Sequence, residues 1–213
     1  IRQRLPVEVH DEVCTWILTV LAKADLLKGK TVAVDATTLE ANAALRSLQR
    51  RDTGEAYQEY LTTLAKASGI ETPTRETLAK FDKNRKSKGS NKDWLNPHDP
   101  DARITKMKDG RTHLAHKSEH AVDMATGAVV AVTLHGANLG DTTTIHETLD
   151  HAKNNIRDVA EERSRLDKLK PPREIVADKG YHSNDTLRTL HEDHGLVTGI
   201  SEPDRGRRKW KGK

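Results

Sequence analysis

The sequence predicts an α/β fold in which helices flank a mixed sheet. Two short apolar runs, VAVD at 32–35 and IVAD at 175–178, have the length and β-branched content of buried strands, and each ends on an aspartate. Two longer extended runs, 111–122 and 128–135, enclose turn residues at 123–127 and predict an antiparallel hairpin. Because parallel strands need a crossover connection and hairpins do not, this combination predicts a mixed sheet.

The N-terminal region is predicted to be mainly helical. Residues 7–27 form a helix that ends before Gly29 and packs through its apolar positions, which are Val9, Val13, Trp16, Ile17, Val20 and Leu21. A strand follows at 30–35. Residues 38–68 have a helical pattern with a break near 53–54.

A second helix is predicted to open at Thr72 and Pro73, an N-cap followed by a proline at the first helical position, and to run to about Arg85. Gly, Ser, Asn and Pro then interrupt the pattern over 86–103, which predicts an exposed loop. Residues 36–110 are therefore expected to form a helical insertion and loop between the first and second strands.

The C-terminal half is predicted to alternate helix and strand. Thr144 and Glu147 have the spacing of a capping box, which starts a helix to about Leu169 with a break near 154–155. A buried strand follows at 174–178.

Ser183 is expected to cap a helix over 184–194, and a last strand lies at 196–201. The predicted organisation is an N-terminal helical segment, a main domain and a basic tail, at 1–29, 30–204 and 205–213.

Composition indicates a single domain with a small core. Of 213 residues, 43 are Leu, Ile, Val or Phe, and the formal net charge is +4. No apolar run approaches the roughly 18 residues of a membrane span, and the N-terminus lacks the pattern of a signal peptide. We expect a soluble, cytoplasmic protein without a membrane partner, in which the lone Cys14 is a packed thiol.

Basic residues are concentrated in two regions. Residues 75–117 hold twelve Lys or Arg against six Asp or Glu, and residues 205–213 hold six basic residues and no acid. Such runs form solvated surface or contact phosphate.

The two aspartates at strand ends, Asp35 and Asp178, are candidate metal ligands. Ligands of open α/β sheets bind beyond the carboxyl ends of strands. If the two strands are neighbours, a divalent cation such as Mg²⁺ removes the repulsion between the carboxylates and serves phosphoryl transfer. The alternative is that each aspartate only caps the turn after its strand.

Four segments resemble bacterial insertion-sequence transposases with a DDE catalytic domain. They are VAVDATTLEANAAL around Asp35, KMKDGRTHLAHKSEHAVD at 106–123, GANLGDTTTI at 136–145 and VADKGYHS at 176–183. The resemblance implies a ribonuclease H-like fold for 30–204, with Asp35 and Asp178 as catalytic residues that bind Mg²⁺ or Mn²⁺. It also implies cleavage of transposon ends, strand transfer into target DNA by the freed 3′-hydroxyl, association with the nucleoid and a homodimer on DNA.

One departure from the family concerns its third acid, a glutamate in a helix beyond the last strand. The acids past the last predicted strand here are Glu202 and Asp204, in a Pro-containing turn. We therefore expect a C-terminally truncated fragment that is inactive by itself.

Several further residues have two interpretations. His113, His116 and His120 would align on a helix as a zinc site, but the hairpin signal favours a strand, which leaves surface histidines or DNA contacts. Asp141 is either a helix-entry residue or a neighbour of the metal site. The candidate DNA contacts are Lys106, Lys108, Arg111, Lys117, Lys179, Tyr181, Arg207, Arg208 and Lys209. For Lys179 and Tyr181, packing inside the protein is the alternative.

The sequence leaves two alternative functions open. One is a DNA-binding remnant without turnover, and the other is a metal-dependent phosphohydrolase of small substrates in which the histidines are ligands.

Overall fold

The fold was analysed in a computed structural model that describes residues 5–85, 89–161, 169–204 and Gly206. It is a mixed α/β structure. Its helices are α1 Val7–Lys23, α2 Tyr57–Ala67, α3 Arg75–Asn84, α4 Asp141–Glu161 and α5 Asn184–Glu192. Its strands are β1 Thr31–Glu40, β2 Gln49–Arg50, β3 Trp94–Leu95, β4 Arg103–Lys106, β5 Thr112–Asp123, β6 Val129–Gly136, β7 Glu174–Ala177 and β8 Val197–Ile200.

Internal contacts divide the chain into two compact units. The first unit comprises Ile1–Thr37, Ser118–Leu134 and Gly140–Lys213, and the second comprises Thr38–Lys117 and His135–Leu139. Strands β1 and β5 therefore each contribute residues to both units. The predicted division at 29 and 204 concerns different boundaries and stays a prediction.

The first unit contains a mixed sheet in the order β6, β5, β1, β7, β8. Strands β1, β7 and β8 are parallel neighbours, with Thr31 in register with Glu174 and Glu174 in register with Val197. Strands β5 and β6 form a hairpin, because the five residues between them are too few for a crossover. The predicted mixed sheet flanked by helices is confirmed.

The core of the first unit lies between the sheet and helices α1, α4 and α5. Helix α4 presents one apolar face at helical spacing, and α1 packs against it. The largest buried aliphatic side chains of this core are Leu18, Val32, Val130, Ile145, Leu149, Ile156, Ile175, Leu190 and Leu196.

The side chain of Asp123, the last residue of β5, connects the residues before β1 to the β5–β6 turn by hydrogen bonds. Its Oδ2 accepts hydrogen bonds from the backbone N–H groups of Lys28 and Gly29 at 2.6 and 3.1 Å. Its Oδ1 accepts from the N–H of Ala125, and Oδ2 also accepts from the Thr126 hydroxyl. Burial acts to raise the pKa of Asp123, but these donors outweigh it and the pKa is lowered.

The second unit is built around Trp94 rather than around the sheet. In this unit β4 runs antiparallel to the first residues of β5, and β2 pairs with β3. Trp94 is 3% exposed, and the rings of Tyr57 and Tyr60 meet it edge-on with centroids 5.0 and 5.2 Å away.

The predicted helix at 7–27 is confirmed as α1, which ends at Lys23, but of its predicted packing residues Leu21 packs against the core and four others do not. Val13, Trp16, Ile17 and Val20 are exposed, whereas the opposite face, which includes Leu18, is buried against the core. Helix α1 is apolar on both sides, so periodicity does not distinguish the face that packs.

The prediction of helix over 38–68 is wrong for its first half. Strand β1 does not end at Asp35 but continues to Glu40, because Ala41 still donates its N–H to the carbonyl of Leu114 on β5. Tertiary pairing thus overrides the local helical pattern. Apart from the 3₁₀ turn Leu45–Ser47, helix in this segment begins at Tyr57, in α2.

Two further boundaries in this region differ from prediction. The N-cap of α3 is Thr74, whose hydroxyl accepts from the N–H of Thr77, rather than Thr72. The segment 86–103 is not simply an exposed loop, because it contains β3 and the buried Trp94. Lys86, Ser87 and Lys88 lie outside the described residues.

Helix α4 begins at Asp141, three residues before the predicted capping box at Thr144. No break occurs near 154–155, because Asn155 stays helical and its side-chain amide donates to the carbonyl of Val130 at 2.8 Å. Its predicted continuation toward Leu169 falls on 162–168, outside the described residues.

The last predicted elements are confirmed as β7, α5 and β8. The hydroxyl of Ser183 accepts from the N–H of Thr186 at 3.0 Å, as expected for an N-cap. Cys14 is half-buried, and burial, followed by the charge of Asp11, raises the pKa of its thiol, which fits a packed cysteine. None of the helices in the described ranges has the length and apolarity to cross a membrane.

Candidate functional site

Asp35 and Asp178 directly follow the last paired residues of two neighbouring parallel strands. The paired register of β1 and β7 ends with Val34 opposite Ala177, so Asp35 is the next residue of β1 and Asp178 is the first residue after β7. Neighbouring strands are about 5 Å apart, which sets the scale of the separation between their backbones. The structure therefore brings together the two residues that the sequence singled out.

Both aspartates are exposed and both use one oxygen for a local backbone bond. Oδ1 of Asp35 accepts from the N–H of Ala36 at 2.9 Å, and Oδ1 of Asp178 accepts from the N–H of Gly180 at 2.7 Å. The turn-capping role that we considered is thus present at Asp178, which caps the turn Lys179–Tyr181, but not at Asp35, because β1 continues to Glu40. Within the described ranges no donor reaches the second oxygen of either carboxylate.

Asp141, the first residue of α4, lies at the same edge of the sheet. A Cβ placed on Gly180 would be 2.7 Å from Oδ2 of Asp141 and 2.9 Å from Oδ1 of Asp178. The two carboxylate oxygens are therefore no farther apart than the sum of those distances. A side chain at position 180 would therefore require one or both of these carboxylates to move.

A buried hydrogen-bond network lies beneath these acids, centred on Glu119 of β5. The Glu119 side chain is fully buried and accepts from the hydroxyl of Tyr181 at 2.9 Å and of Thr144 at 2.8 Å. It also accepts a short bond from the hydroxyl of Thr148. Because Thr144 and Thr148 are four residues apart, both face β5 from one side of α4.

The network joins the elements that carry the exposed acids. Tyr181 ends the one-turn 3₁₀ helix Lys179–Tyr181, which follows Asp178 directly, and Thr144 lies in the first turn of α4 with Asp141. Burial, followed by the negative charges of Glu119, Asp141 and Asp35, raises the pKa of Tyr181. The hydroxyl of Tyr181 therefore lies within the electrostatic influence of acids on β5, α4 and β1.

The chemistry of the donors suits a hard divalent cation. Carboxylate oxygens are the ligands that Mg²⁺ prefers, and Asp35 and Asp178 supply one exposed carboxylate each. Within the described ranges, no group of three or more His, Cys, Asp or Glu side chains has a geometry that could hold a metal ion. The arrangement therefore provides two exposed carboxylates, with the carboxylate of Asp141 close to that of Asp178.

Glu202 and Asp204, the acids past the last strand, do not lie in a helix. Both follow β8 outside regular secondary structure, where the sequence predicted a Pro-containing turn.

The zinc site considered for His113, His116 and His120 does not form in the structure. These residues lie on β5, not on a helix. His113 contacts Glu40 and Asp109 at 2.7 and 2.9 Å, whereas His116 contacts a different carboxylate. Hydrogen bonding of its ring to the carboxylates of Asp109 and then Glu40 raises the pKa of His113.

The candidate DNA contacts divide into exposed, buried and undescribed residues. Lys106, Lys108 and Arg111 are exposed on the turn between β4 and β5 in the second unit, and Lys179 is exposed in the first. Arg207, Arg208 and Lys209 lie outside the described residues.

Two of the candidate DNA contacts are wrong. Lys117 is 4% exposed and Tyr181 is 1% exposed, so neither side chain can reach a phosphate in this structure. For Tyr181 the packing alternative is the correct one. Its hydroxyl is also engaged by Glu119.

Glu119 was missed by sequence reasoning. The face of β5 that turns inward reads Ala115, Lys117, Glu119, Ala121 and Asp123, all of them buried. Because this inward face consists of small and charged residues, the sequence of β5 does not show the alternation of apolar and polar residues that predicts a half-buried strand. The one available signal was an acid placed within a predicted hairpin strand.

Comparison with protein-family models gives no match, and comparison with curated proteins gives no similar sequence.

Proposed function

We propose that this chain is part of a DNA transposase of an insertion sequence, an enzyme that cleaves and joins DNA ends with the help of a divalent metal ion, and that the chain is inactive by itself. The observation that carries the proposal is the register of β1 and β7, which sets Asp35 beside Asp178. The resemblance of the segments around these two residues to DDE transposases supports it.

Asp35 and Asp178 would hold Mg²⁺ or Mn²⁺ through the carboxylate oxygens that face solvent. Such an ion, when bound, activates the attacking oxygen and stabilises the leaving oxygen in phosphoryl transfer. Asp141 adds negative charge at the same edge of the sheet, and the exposed Lys179 offers a cation to a DNA phosphate next to Asp178.

We further propose that the sheet is of the ribonuclease H-like type. Its support is the arrangement within the first unit, where an antiparallel hairpin lies on one side of β1 and the parallel strands β7 and β8 lie on the other. Helices of the same unit pack on this sheet, as the resemblance implies.

DNA is the proposed partner, and three exposed cations support it. Lys106, Lys108 and Arg111 lie within six residues of one another in a turn of the second unit, with Asp109 as the acid among them. Clustered exposed Lys and Arg bind the DNA backbone without reading its sequence.

The test measures metal binding first and DNA binding second. Mn²⁺ binding to the wild-type chain is measured by isothermal titration calorimetry and compared with Asp35→Asn and Asp178→Asn. Each substitution removes one carboxylate ligand, and we expect the affinity to fall by about tenfold or more. Asp185→Asn, an exposed acid on α5 of the same unit, is the matched control and should bind like wild type.

The outcomes separate the three candidate functions. Metal binding that depends on Asp35 and Asp178, together with DNA binding, supports the transposase. DNA binding without any metal binding supports the DNA-binding remnant instead. Metal-dependent hydrolysis of p-nitrophenyl phosphate without DNA binding supports a phosphohydrolase of small substrates.

A further inference from the structure

Helix α1 carries an apolar stripe on its solvent side. The stripe consists of Val13, Trp16, Ile17 and Val20, whose exposed fractions are 49%, 66%, 46% and 43%. These residues are spaced by three, one and three positions, so they line one face of the helix over two turns. An exposed tryptophan within a continuous apolar face is typical of an interaction surface.

The stripe cannot turn inward, because the opposite face of α1 is already packed. Leu18 and Ala22 are buried at 1% and 7% exposure in the core of the first unit. They lie roughly half a turn around the helix from the centre of the stripe. The apolar stripe is therefore a second, separate face of the same helix.

We propose that this stripe is a homodimer interface, in which α1 packs antiparallel against α1 of a second copy of this chain. The stripe is self-complementary about its midpoint, which lies between Trp16 and Ile17. A two-fold axis at that point sets Val13 against Val20 of the partner and Trp16 against Ile17 of the partner. This is the pattern of an isologous interface, in which the same patch serves both copies.

Charge at the edge of the stripe favours the antiparallel orientation. Glu12 and Lys23 are exposed and lie on the same side of the stripe, because eleven residues make close to three helical turns. In the antiparallel pair this side of one helix meets the same side of the other. Glu12 then lies within about 3 Å, along the helix axis, of the partner's Lys23. In a parallel pair, Glu12 would lie at the same height as the partner's Glu12, and Lys23 at the same height as the partner's Lys23.

The experiment is sedimentation velocity of the full chain over a wide range of concentration. Wild type is expected to show a reversible monomer–dimer equilibrium. Trp16→Glu should weaken dimerisation by about tenfold or more, since it places a charge at the centre of the interface. Met124→Glu is the matched control, because Met124 is also an exposed apolar residue, at 54%, but lies in the β5–β6 turn.

Charge reversal and crosslinking test the orientation. Glu12→Lys and Lys23→Glu should each weaken the dimer at low salt, and the double variant should restore it. In a Cys14→Ala background, a mixture of Val13→Cys and Val20→Cys chains should form a disulfide-linked dimer more readily than either chain alone.

Three results would overturn the proposal. They are a wild-type chain that stays monomeric, a dimer that Trp16→Glu does not weaken, and a Val13→Cys chain that crosslinks with itself as well as in the mixture. None of these results bears on metal or DNA binding, so the test is independent of the proposed function.

Discussion

The hydroxyl of Tyr181 donates to the carboxylate of Glu119 across 62 positions of sequence, at 2.9 Å and with both side chains almost fully buried. The bond links the turn after Asp178 to the centre of β5. A buried carboxylate is stable only while its donors are in place, so the bond fixes both residues. Because Asp178 lies only three positions before Tyr181, this bond also restricts the position of Asp178.

Tyr181→Phe should therefore destabilise the protein although it removes a single oxygen. It deletes a donor to a buried carboxylate, and hydrogen bonds to charged groups contribute about 1.5–3 kcal/mol. We expect a loss of that size in the free energy of unfolding, measured by urea denaturation.

Tyr60→Phe serves as the control for this measurement. Tyr60 also packs against buried rings, but its hydroxyl makes no hydrogen bond with the residues that the structure describes. Its stability should stay within about 0.5 kcal/mol of wild type. Equal losses in both variants would show that the Glu119 bond contributes nothing specific.

Gly180→Ala should disturb the two acids at the carboxyl end of β7. The new methyl would lie 2.7 Å from a carboxylate oxygen of Asp141 and 2.9 Å from one of Asp178. We expect Mn²⁺ affinity, measured by calorimetry, to fall by about tenfold or more, because small displacements of ligands weaken metal sites.

Gly140→Ala is the matched control for that variant. Position 140 directly precedes Asp141, and the nearest atom to an added Cβ, the hydroxyl of Thr142, is 4.0 Å away. This variant should bind Mn²⁺ like wild type. Unchanged affinity in Gly180→Ala would contradict a role for the close approach at Gly180.

Stability should fall in mild acid because of His194. Its Nδ1 lies 2.9 Å from the ammonium of Lys153, and its ring stacks on His146, with Asp150 also nearby. Burial, and then the charge of Lys153, lowers the pKa of His194. The folded protein therefore binds fewer protons here than the unfolded chain does.

Proton linkage fixes the direction of this pH dependence. The contribution of His194 to the free energy of unfolding is complete above about pH 6.5, the pKa of histidine in the unfolded chain. It is lost as the pH falls from there toward the lower pKa of His194 in the folded protein. Urea denaturation across this interval should show a smaller acid-induced loss for His194→Gln than for wild type. His151→Gln, at an exposed position of α4, should follow the wild-type curve. Parallel curves for wild type and His194→Gln would exclude His194 as the cause.

DNA affinity should depend steeply on salt through the turn between β4 and β5. Replacing Lys106, Lys108 and Arg111 by Ala should reduce the slope of log K against log salt by roughly 0.9 for each phosphate that these side chains neutralise. Filter binding or fluorescence anisotropy with a random duplex measures the slope. A control triple variant at exposed lysines of α2 and α3, Lys66, Lys80 and Lys83, should keep the wild-type slope.

Sequence reasoning succeeded where local signals and tertiary structure agree. The hairpin around 123–127, the strand at 174–178 and the cap at Ser183 each combine a turn or capping residue with an apolar run. The sequence also predicted that Asp35 and Asp178 follow neighbouring strands if those strands pair, and β1 and β7 are parallel neighbours, although β1 does not end at Asp35.

Reasoning failed where long-range pairing overrides local preference. Residues 38–40 have a helical pattern by themselves but form strand beside β5, and Trp94 is buried inside a segment rich in Gly, Asn and Pro. Glu119 was not predicted, because its burial depends on hydroxyl donors that lie 25 to 62 positions away.

The carboxylate of Asp123 has a consequence for the order of folding. Its bonds to Ala125 and Thr126 span two or three residues, whereas those to Lys28 and Gly29 close loops of 95 and 94 residues. The short-range bonds can orient the carboxylate as soon as the hairpin forms, and the long-range bonds wait for loop closure. We therefore expect Lys28 and Gly29 to bind the already oriented carboxylate of Asp123 late in folding. Loss of the two long-range bonds should therefore accelerate unfolding more than it slows refolding.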